Sequence, residues 1–207
     1  MDRIHGIQKL TDNPHLNLYA LDASFRDGSS GTYYVASRRR DAGAIRAASH
    51  DRRPDGVIIC GVYGPGQDRL VLIRQYRYPI DGYVYELPAG LIDPGEGTVQ
   101  AAVREMREET GLHLQPLYAL PPCYMSVGMT DESCSTVFGQ CSGEPTCAYQ
   151  EGSEDIQVIL ADKAECRRIL AQEQPVLPCA YILMQFISAE PGQFLRPADF
   201  PLSTETE

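Results

Sequence analysis

Three glutamates lie within five positions of one another near the middle of the chain: Glu105, Glu108 and Glu109. On an α-helix, side chains three and four residues apart lie on the same side, so Glu105 would lie beside the other two. Like charges at this spacing cost a few tenths of a kcal/mol per pair, whereas hard divalent cations prefer carboxylate oxygens as ligands. The spacing therefore predicts a cation site on one side of a helix.

The neighbouring residues predict the helix that would carry these carboxylates. Apolar residues recur at intervals of three and four and would form its buried stripe: Val99, Ala102, Val103 and Met106. We expect the helix to run from Thr98 to Thr110, with Thr98 as N-cap and Gly111 as a left-handed C-cap.

A loop punctuated by glycine and proline precedes this helix, between Leu87 and Gly97, and we expect it to fold back over the helix start. Arg104 stands four residues before Glu108 and can orient that carboxylate. Glu96 would support the loop and the helix. The alternative is a solvated charged face, which for Glu108 alone is an equally good interpretation.

The full run from Gly90 to Leu112 reads G-x5-E-x7-R-E-U-x-E-E-x-G-U, with U an apolar residue and no departure. This pattern resembles the Nudix box. The resemblance implies Mg²⁺, for which Mn²⁺ can substitute, held by the three helix glutamates and the backbone carbonyl of Ala89. Gly90 and Gly111 would support the site structurally.

Two further segments, Arg74–Pro79 and Tyr85–Asp93, are similar to the ADP-ribose pyrophosphatase branch of Nudix hydrolases. That resemblance implies hydrolysis of a nucleoside diphosphate sugar, with ADP-ribose giving AMP and ribose 5-phosphate. It also implies a homodimer whose N-terminal β-units contribute to the partner's substrate site. Two departures stand against this substrate: Val127 replaces a frequent proline, and the chain has no tryptophan. Alternatives are a GDP- or UDP-sugar, a dinucleotide, or a non-catalytic ligand-sensing module.

The same resemblance assigns substrate contacts. Arg77 would hold a phosphate, and Glu86 would accept a hydrogen bond from the substrate or support the metal shell. The segment from Gly128 to Glu132 lies where substrate-contacting loops occur. Tyr33 is a candidate for stacking on the base, together with Phe25 and Tyr34, although cross-strand packing is the favoured interpretation for these rings.

Catalysis would also need a general base beside Glu105 and Glu109. By resemblance it comes from a mobile acidic loop, and Gln150–Asp155 has the matching location. Glu154 aligns best and Glu151 is the reserve, with a solvated acidic loop as the alternative.

Composition limits the classes of partner. A formal charge of −10 argues against long nucleic acid, whose binding is largely electrostatic. Seven cysteines without metal-binding spacing, and no signal segment, predict reduced thiols in a cytoplasmic protein without a membrane span. Six arginines between Arg38 and Arg53 form a basic island, for which a solvated linker is favoured.

The predicted fold class is α/β: a Nudix-type α/β/α sandwich with a mixed sheet and a small N-terminal antiparallel β-unit. We expect three parts: the β-unit and linker at 1–53, the hydrolase domain at 54–190, and a tail at 191–207. The linker at 41–54 and the tail are expected to be flexible. Predicted strands are Leu16–Phe25, Thr32–Ser37, Gly56–Tyr63, Arg69–Gln75, Tyr83–Leu87, Leu114–Ala119, Ser135–Cys141 and Asp155–Leu160, and predicted helices are Lys163–Gln172 and Cys179–Ser188.

Overall fold

The computed structural model describes residues 3–195, so most of the predicted tail at 191–207 lies outside the described residues. Its strands are β1 (Ile4–Lys9), β2 (Asn17–Ser24), β3 (Ser30–Ser37), β4 (Gly56–Tyr63), β5 (Arg69–Arg77), β6 (Gly82–Glu86), β7 (Ala89–Leu91), β8 (His113–Ala119), β9 (Cys123–Tyr124), β10 (Ser133–Ser142) and β11 (Ile156–Ala161). Its helices are α1 (Arg46–Ser49), α2 (Thr98–Thr110), α3 (Lys163–Gln172) and α4 (Leu177–Ser188).

The described residues divide into two compact units. The first unit comprises the chain up to Asp55 together with Pro122–Cys134, and the second comprises Gly56–Pro121 and the residues from Ser135 onward. The segment Pro122–Cys134 was expected within the hydrolase domain, but its contacts place it in the first unit.

The first unit contains an antiparallel sheet in the order β1-β2-β3. Strand β2 alternates between buried and exposed residues, as expected for a sheet with one covered face. The covered face contributes a small core of Tyr19, Leu21, Val35 and Ile45.

The predicted solvated linker is wrong for Arg46, whose side chain is only 6% exposed. Its guanidinium donates to Asp55 Oδ2 at 2.7 Å and to Ser133 Oγ at 2.8 Å, and also to the backbone carbonyls of Asp51, Arg53 and Asp131. Burial alone would raise the pKa of Asp55, but hydrogen bonds from Arg46, Ser133 and Arg39 lower it. A buried cation is tolerated here because its donors are satisfied.

The second unit contains the mixed sheet, in the order β11-β5-β4-β10-β8, with β6 paired to β5 and β7 to β4. Strand β4 is buried at every position from Gly56 to Val62, which indicates that both sheet faces are covered. Helix α2 packs against β4, β7 and β8, while α3 and α4 pack against each other and against β11 and β6 respectively. The α/β prediction is confirmed. Within residues 3–195, no helix is long and apolar enough to cross a bilayer.

Candidate active site

Helix α2 has the predicted bounds but a different buried face. Ala101, Ala102 and Met106 are buried, and so is Glu109, which is only 3% exposed. Val103 was expected in the apolar stripe but is 39% exposed. The helix is rotated so that a carboxylate, and not this valine, lies toward the interior.

The ends of α2 are fixed by glycines. Gly97, and not the predicted Thr98, is the N-cap, and its N–H donates to Gln100 Oε1 at 3.0 Å. Gly111 adopts the predicted left-handed conformation, with φ of 74°. A Cβ at Gly111 would stand 2.3 Å from Cγ2 of Thr146, which lies in the loop after β10, so the close approach of that loop also requires glycine here.

Glu109 is tied to the loop that precedes the helix. The Ala89 N–H donates to Glu109 Oε2 at 3.0 Å. Burial raises the pKa of Glu109 well above its usual range, and the charges of Glu105 and Glu154 raise it further. A nearly buried carboxylate that receives this hydrogen bond is a group that a cation would stabilise.

Glu105 lies against the backbone at Gly90. An added Cβ at Gly90 would be 1.9 Å from both Cδ and Oε1 of Glu105. Strand β7 brings this glycine there by pairing with β4, in a register that places Ala89 opposite Ile58. Glycine at position 90 therefore makes room for the Glu105 carboxylate, and its predicted role in supporting the site stays a prediction. Burial also raises the pKa of Glu105.

Arg104 makes five hydrogen bonds, four to the carboxylates of Glu96, Glu105 and Glu108 and one to a backbone carbonyl. Nε and Nη2 donate to the two oxygens of Glu96 at 3.0 and 2.8 Å, and Nη2 also donates to the Leu91 carbonyl at 2.9 Å. Nη1 donates to Glu105 Oε1 at 2.8 Å and to Glu108 Oε2 at 2.9 Å. The pair with Glu108 was predicted, whereas those with Glu96 and Glu105 were not.

This arrangement bears on the metal prediction for Ala89, Glu105, Glu108 and Glu109. Among residues 3–195, no group of three or more acidic, histidine or cysteine side chains surrounds a common cation position. The guanidinium of Arg104 lies between Glu105 and Glu108 instead, using one oxygen of each carboxylate. The carboxylates of α2 are hard oxygen ligands, and this chemistry fits a divalent cation.

The acidic loop distinguishes its two glutamates. Glu154 is partly buried, and its charge affects the pKa of Glu105, of Glu109 and of Arg77. Glu151 is exposed, and its N–H donates to Glu154 Oε2 at 2.8 Å. The contact that fastens this loop was not foreseen: Gln150 Nε2 donates to the Glu109 carbonyl at 2.7 Å. Of the two glutamates in this loop, Glu154 is thus the one whose charge acts on Glu105 and Glu109 of α2.

Arg77 and Glu86 pair with each other. Arg77 Nε and Nη2 donate to the two oxygens of Glu86 at 2.5 and 2.7 Å, and the carboxylate is 9% exposed. This fork was predicted to hold a phosphate, but that edge of the guanidinium is occupied by Glu86. The nearby Arg74 lies over the Tyr83 ring, 4.3 Å from its centroid.

The other predicted substrate residues belong to the first unit. The Tyr33 hydroxyl donates to the Gly128 carbonyl at 2.8 Å, and Arg38 Nε donates to Glu132 Oε1 at 2.6 Å. Tyr33 is 45% exposed, so its ring is less packed than the favoured cross-strand interpretation implied. The role of Tyr33, Gly128 and Glu132 in substrate binding stays a prediction.

Comparison with known proteins supports the family that these sequence motifs indicate. Residues 52–177 match the NUDIX domain, which is more than half of the chain, and the chain belongs to the Nudix family. Within that family it is similar to ADP-ribose pyrophosphatases, among them that of Saccharomyces cerevisiae, with 35% identity over 97 residues covering 45% of this chain and 42% of that protein. It is also similar to putative nudix hydrolase 2 of Caenorhabditis elegans, with 38% identity over 130 residues, covering 62% and 55% of the two chains.

A solved structure described as an ADP compounds hydrolase has the same fold, with a TM-score of 0.64 and 21% identity. The match covers 88% of this chain and 91% of that one. The chain spans about half the length of the curated relatives it matches. The predicted resemblance to the Nudix family is confirmed.

Proposed function

We propose that this protein hydrolyses the pyrophosphate bond of a nucleoside diphosphate sugar in a reaction that depends on Mg²⁺, with Mn²⁺ able to substitute. The observation that carries the proposal is the gathering of Glu96, Glu105 and Glu108 around Arg104. Glu109, on the same helix, is held to the backbone at Ala89. Arg104 supplies one positive charge for these carboxylates, and a divalent cation would compensate the repulsion that remains.

The residues that would hold the cation are Glu105, Glu108, Glu109 and the Ala89 carbonyl. A divalent cation would neutralise pyrophosphate charge and orient both the phosphate and the attacking water. Glu154 would take a proton from that water as its oxygen attacks one phosphorus in line, while the bridging P–O bond breaks. Arg104 would keep the carboxylates in place, and Arg77 would approach the substrate through the edge that Glu86 leaves open.

ADP-ribose is the first candidate substrate, with AMP and ribose 5-phosphate as products. The similarity to ADP-ribose pyrophosphatases supports this choice. The test is turnover of ADP-ribose, a GDP-sugar, a UDP-sugar and a dinucleotide with Mg²⁺, with a chelator as control. We expect ADP-ribose to be turned over fastest and the chelator to abolish product. Faster turnover of a GDP-sugar would refute the substrate, and turnover of none would refute the activity.

We also propose a homodimer and a cytoplasmic location. Supporting the dimer, the outer face of the N-terminal sheet exposes Leu10, Leu18 and Tyr34, which are 41%, 38% and 56% accessible. Apolar side chains grouped on an open sheet face favour burial against a second copy. Light scattering should give twice the chain mass at micromolar concentration, and a monomer with full activity would refute the dimer.

A further inference from the structure

A cleft of about 640 Å³ runs along the exposed side of α2 in the second unit. Val99 and Val103 line it from the helix, and Tyr149 lines it from the loop after β10. Val103 and Tyr149 are both exposed, so the cleft presents apolar and aromatic surface to solvent. Small-molecule sites have volumes of about 300–1,000 Å³ and mostly apolar walls. The cleft therefore has the size and the lining of such a site.

Arg107 brings a cation to the Tyr149 ring. Its guanidinium carbon lies 5.0 Å from the ring centroid, within the distance of a cation–π contact. Arg104, which also lines the cleft, donates to Glu105 and Glu108. In the part of the chain that the structure describes, the side-chain N–H groups of Arg107 have no hydrogen-bond acceptor. The cleft therefore combines an aromatic ring with hydrogen-bond donors that a ligand can use.

The loop that carries Tyr149 is fastened to the end of α2. The Thr146 N–H donates to the Thr110 carbonyl at 2.9 Å, and Gln150 Nε2 donates to the Glu109 carbonyl at 2.7 Å. These two hydrogen bonds flank Tyr149 along the chain, so the position of its ring is set before a ligand arrives. A surface that is already in place lowers the cost of ordering on binding.

Glu108 connects the cleft to the proposed metal site. Its side chain lines the cleft, and it directly follows Arg107 in the chain. A group that binds at Tyr149 therefore lies beside a carboxylate proposed to hold the cation, and a diphosphate on that cation would bring one end of the substrate to the cleft. The base end of a nucleoside diphosphate sugar is flat and aromatic, whereas the sugar end has hydroxyls and no aromatic face. The lining of the cleft matches the base end.

We propose that this cleft binds the nucleobase of the substrate, with the base against the Tyr149 ring and Arg107 donating to an acceptor of the same nucleotide. The inference rests on the proposed hydrolysis of a nucleoside diphosphate sugar, and it assigns base stacking to Tyr149 in place of Tyr33. Removing an aromatic side chain that stacks on one base weakens binding about 5- to 150-fold.

The experiment measures equilibrium binding by titration calorimetry in the presence of Mg²⁺. One ligand is α,β-methylene-ADP, which carries the base and whose bridging carbon resists hydrolysis. The other is methylenebisphosphonate, which has the same bridged phosphorus groups without the nucleoside. Tyr149→Ala should bind α,β-methylene-ADP about 5- to 150-fold more weakly and should bind methylenebisphosphonate as the unmodified protein does. Tyr149→Phe, which keeps the ring, should bind both ligands as the unmodified protein does.

Tyr181→Ala is the matched control, because Tyr181 is another exposed tyrosine of the second unit and lies outside the cleft. It should leave both affinities unchanged, and the melting temperatures of the variants should agree because both tyrosines are exposed. Three results would overturn the proposal: no binding of α,β-methylene-ADP to the unmodified protein, an equal loss of both ligands in Tyr149→Ala, or a loss of α,β-methylene-ADP in Tyr33→Ala but not in Tyr149→Ala.

Turnover of ADP-ribose by the unmodified protein separates this inference from the proposed function. Absence of turnover, with nucleotide binding that depends on Tyr149, would refute the hydrolysis and support the base site. Turnover together with nucleotide binding that does not depend on Tyr149 would refute the base site and support the hydrolysis.

Discussion

Replacing Gly90 by alanine tests whether the position of Glu105 controls activity. The new Cβ would stand 1.9 Å from the Glu105 carboxyl carbon, whereas ordinary contacts begin at 3.4 Å. The carboxylate must therefore move by about 1.5 Å, the difference between these distances. Misplacing a catalytic group by about 1 Å can cost on the order of 100-fold in rate. We expect turnover to fall by at least about 100-fold, equivalent to roughly 2.7 kcal/mol in the barrier.

The fold should survive this substitution. Gly90 is not among the glycines with positive φ, so alanine fits its backbone conformation, and the group that must yield is the end of a flexible side chain. The assay is steady-state release of AMP at saturating Mg²⁺ and ADP-ribose, with thermal unfolding measured in parallel.

Gly97→Ala is the matched control for Gly90→Ala. It adds the same methyl group at the N-cap of α2, where that Cβ would meet only Gln100 Oε1, at 3.6 Å. Its turnover should stay within about threefold, a change below ~1 kcal/mol. A double-mutant cycle locates the cause: adding Gly90→Ala to Glu105→Gln should cost little more than Glu105→Gln alone. Turnover of Gly90→Ala within threefold of the unmodified protein would refute the reasoning.

Three more predictions follow from the carboxylates. Glu109→Gln should lower turnover by orders of magnitude, because it removes a carboxylate from the metal site. Its melting temperature should stay equal or rise, because burial already disfavours the charged form of Glu109. Near-normal turnover would show that Glu109 does not belong to the metal site. Glu154→Gln should slow the chemical step at least about 100-fold with metal affinity unchanged, against less than about threefold for Glu151→Gln, as measured by single-turnover kinetics. Hydrogen bonds from Arg53 lower the pKa of Asp51 to about 2. The ionised Asp51 carboxylate therefore stabilises the fold above about pH 4, and this stabilisation is lost as the pH falls toward 2. Across that range the melting temperature of Asp51→Asn should fall less steeply than that of the unmodified protein.

Local sequence signals predicted the elements well where one pattern dominates. Helix α2 and strand β4 have the predicted bounds. In α2 the helical period ends at a glycine, and in β4 a continuous apolar run lies between glycines. The buried face of α2 was mispredicted at Val103, since hydropathy ranks valine above glutamate, whereas Ala89 offers Glu109 a hydrogen bond in the interior. Short strand β7 has too few residues to show a period, although it fixes the position of Gly90.

Long-range polar contacts were the part that the sequence could not supply. Arg46 looked like one arginine of a solvated basic island, and its burial depends on Asp55 and on Ser133, which lies far along the chain. Likewise, the spacing of Arg104 predicts contact with Glu108 on the helix but not with Glu96, because that pair requires the loop to fold back. Such contacts depend on tertiary geometry, which no local pattern encodes.

The bonding of Arg104 has a consequence for how this site can change during evolution. One guanidinium holds Glu96, Glu105 and Glu108 with every donor in use, so lysine, with three donors and no planar fork, cannot replace it without releasing a carboxylate. Substitutions among these four residues will therefore be non-additive, and the effect of one will depend on which others are present. The four positions should be inherited as one unit, each constraining what the others can become.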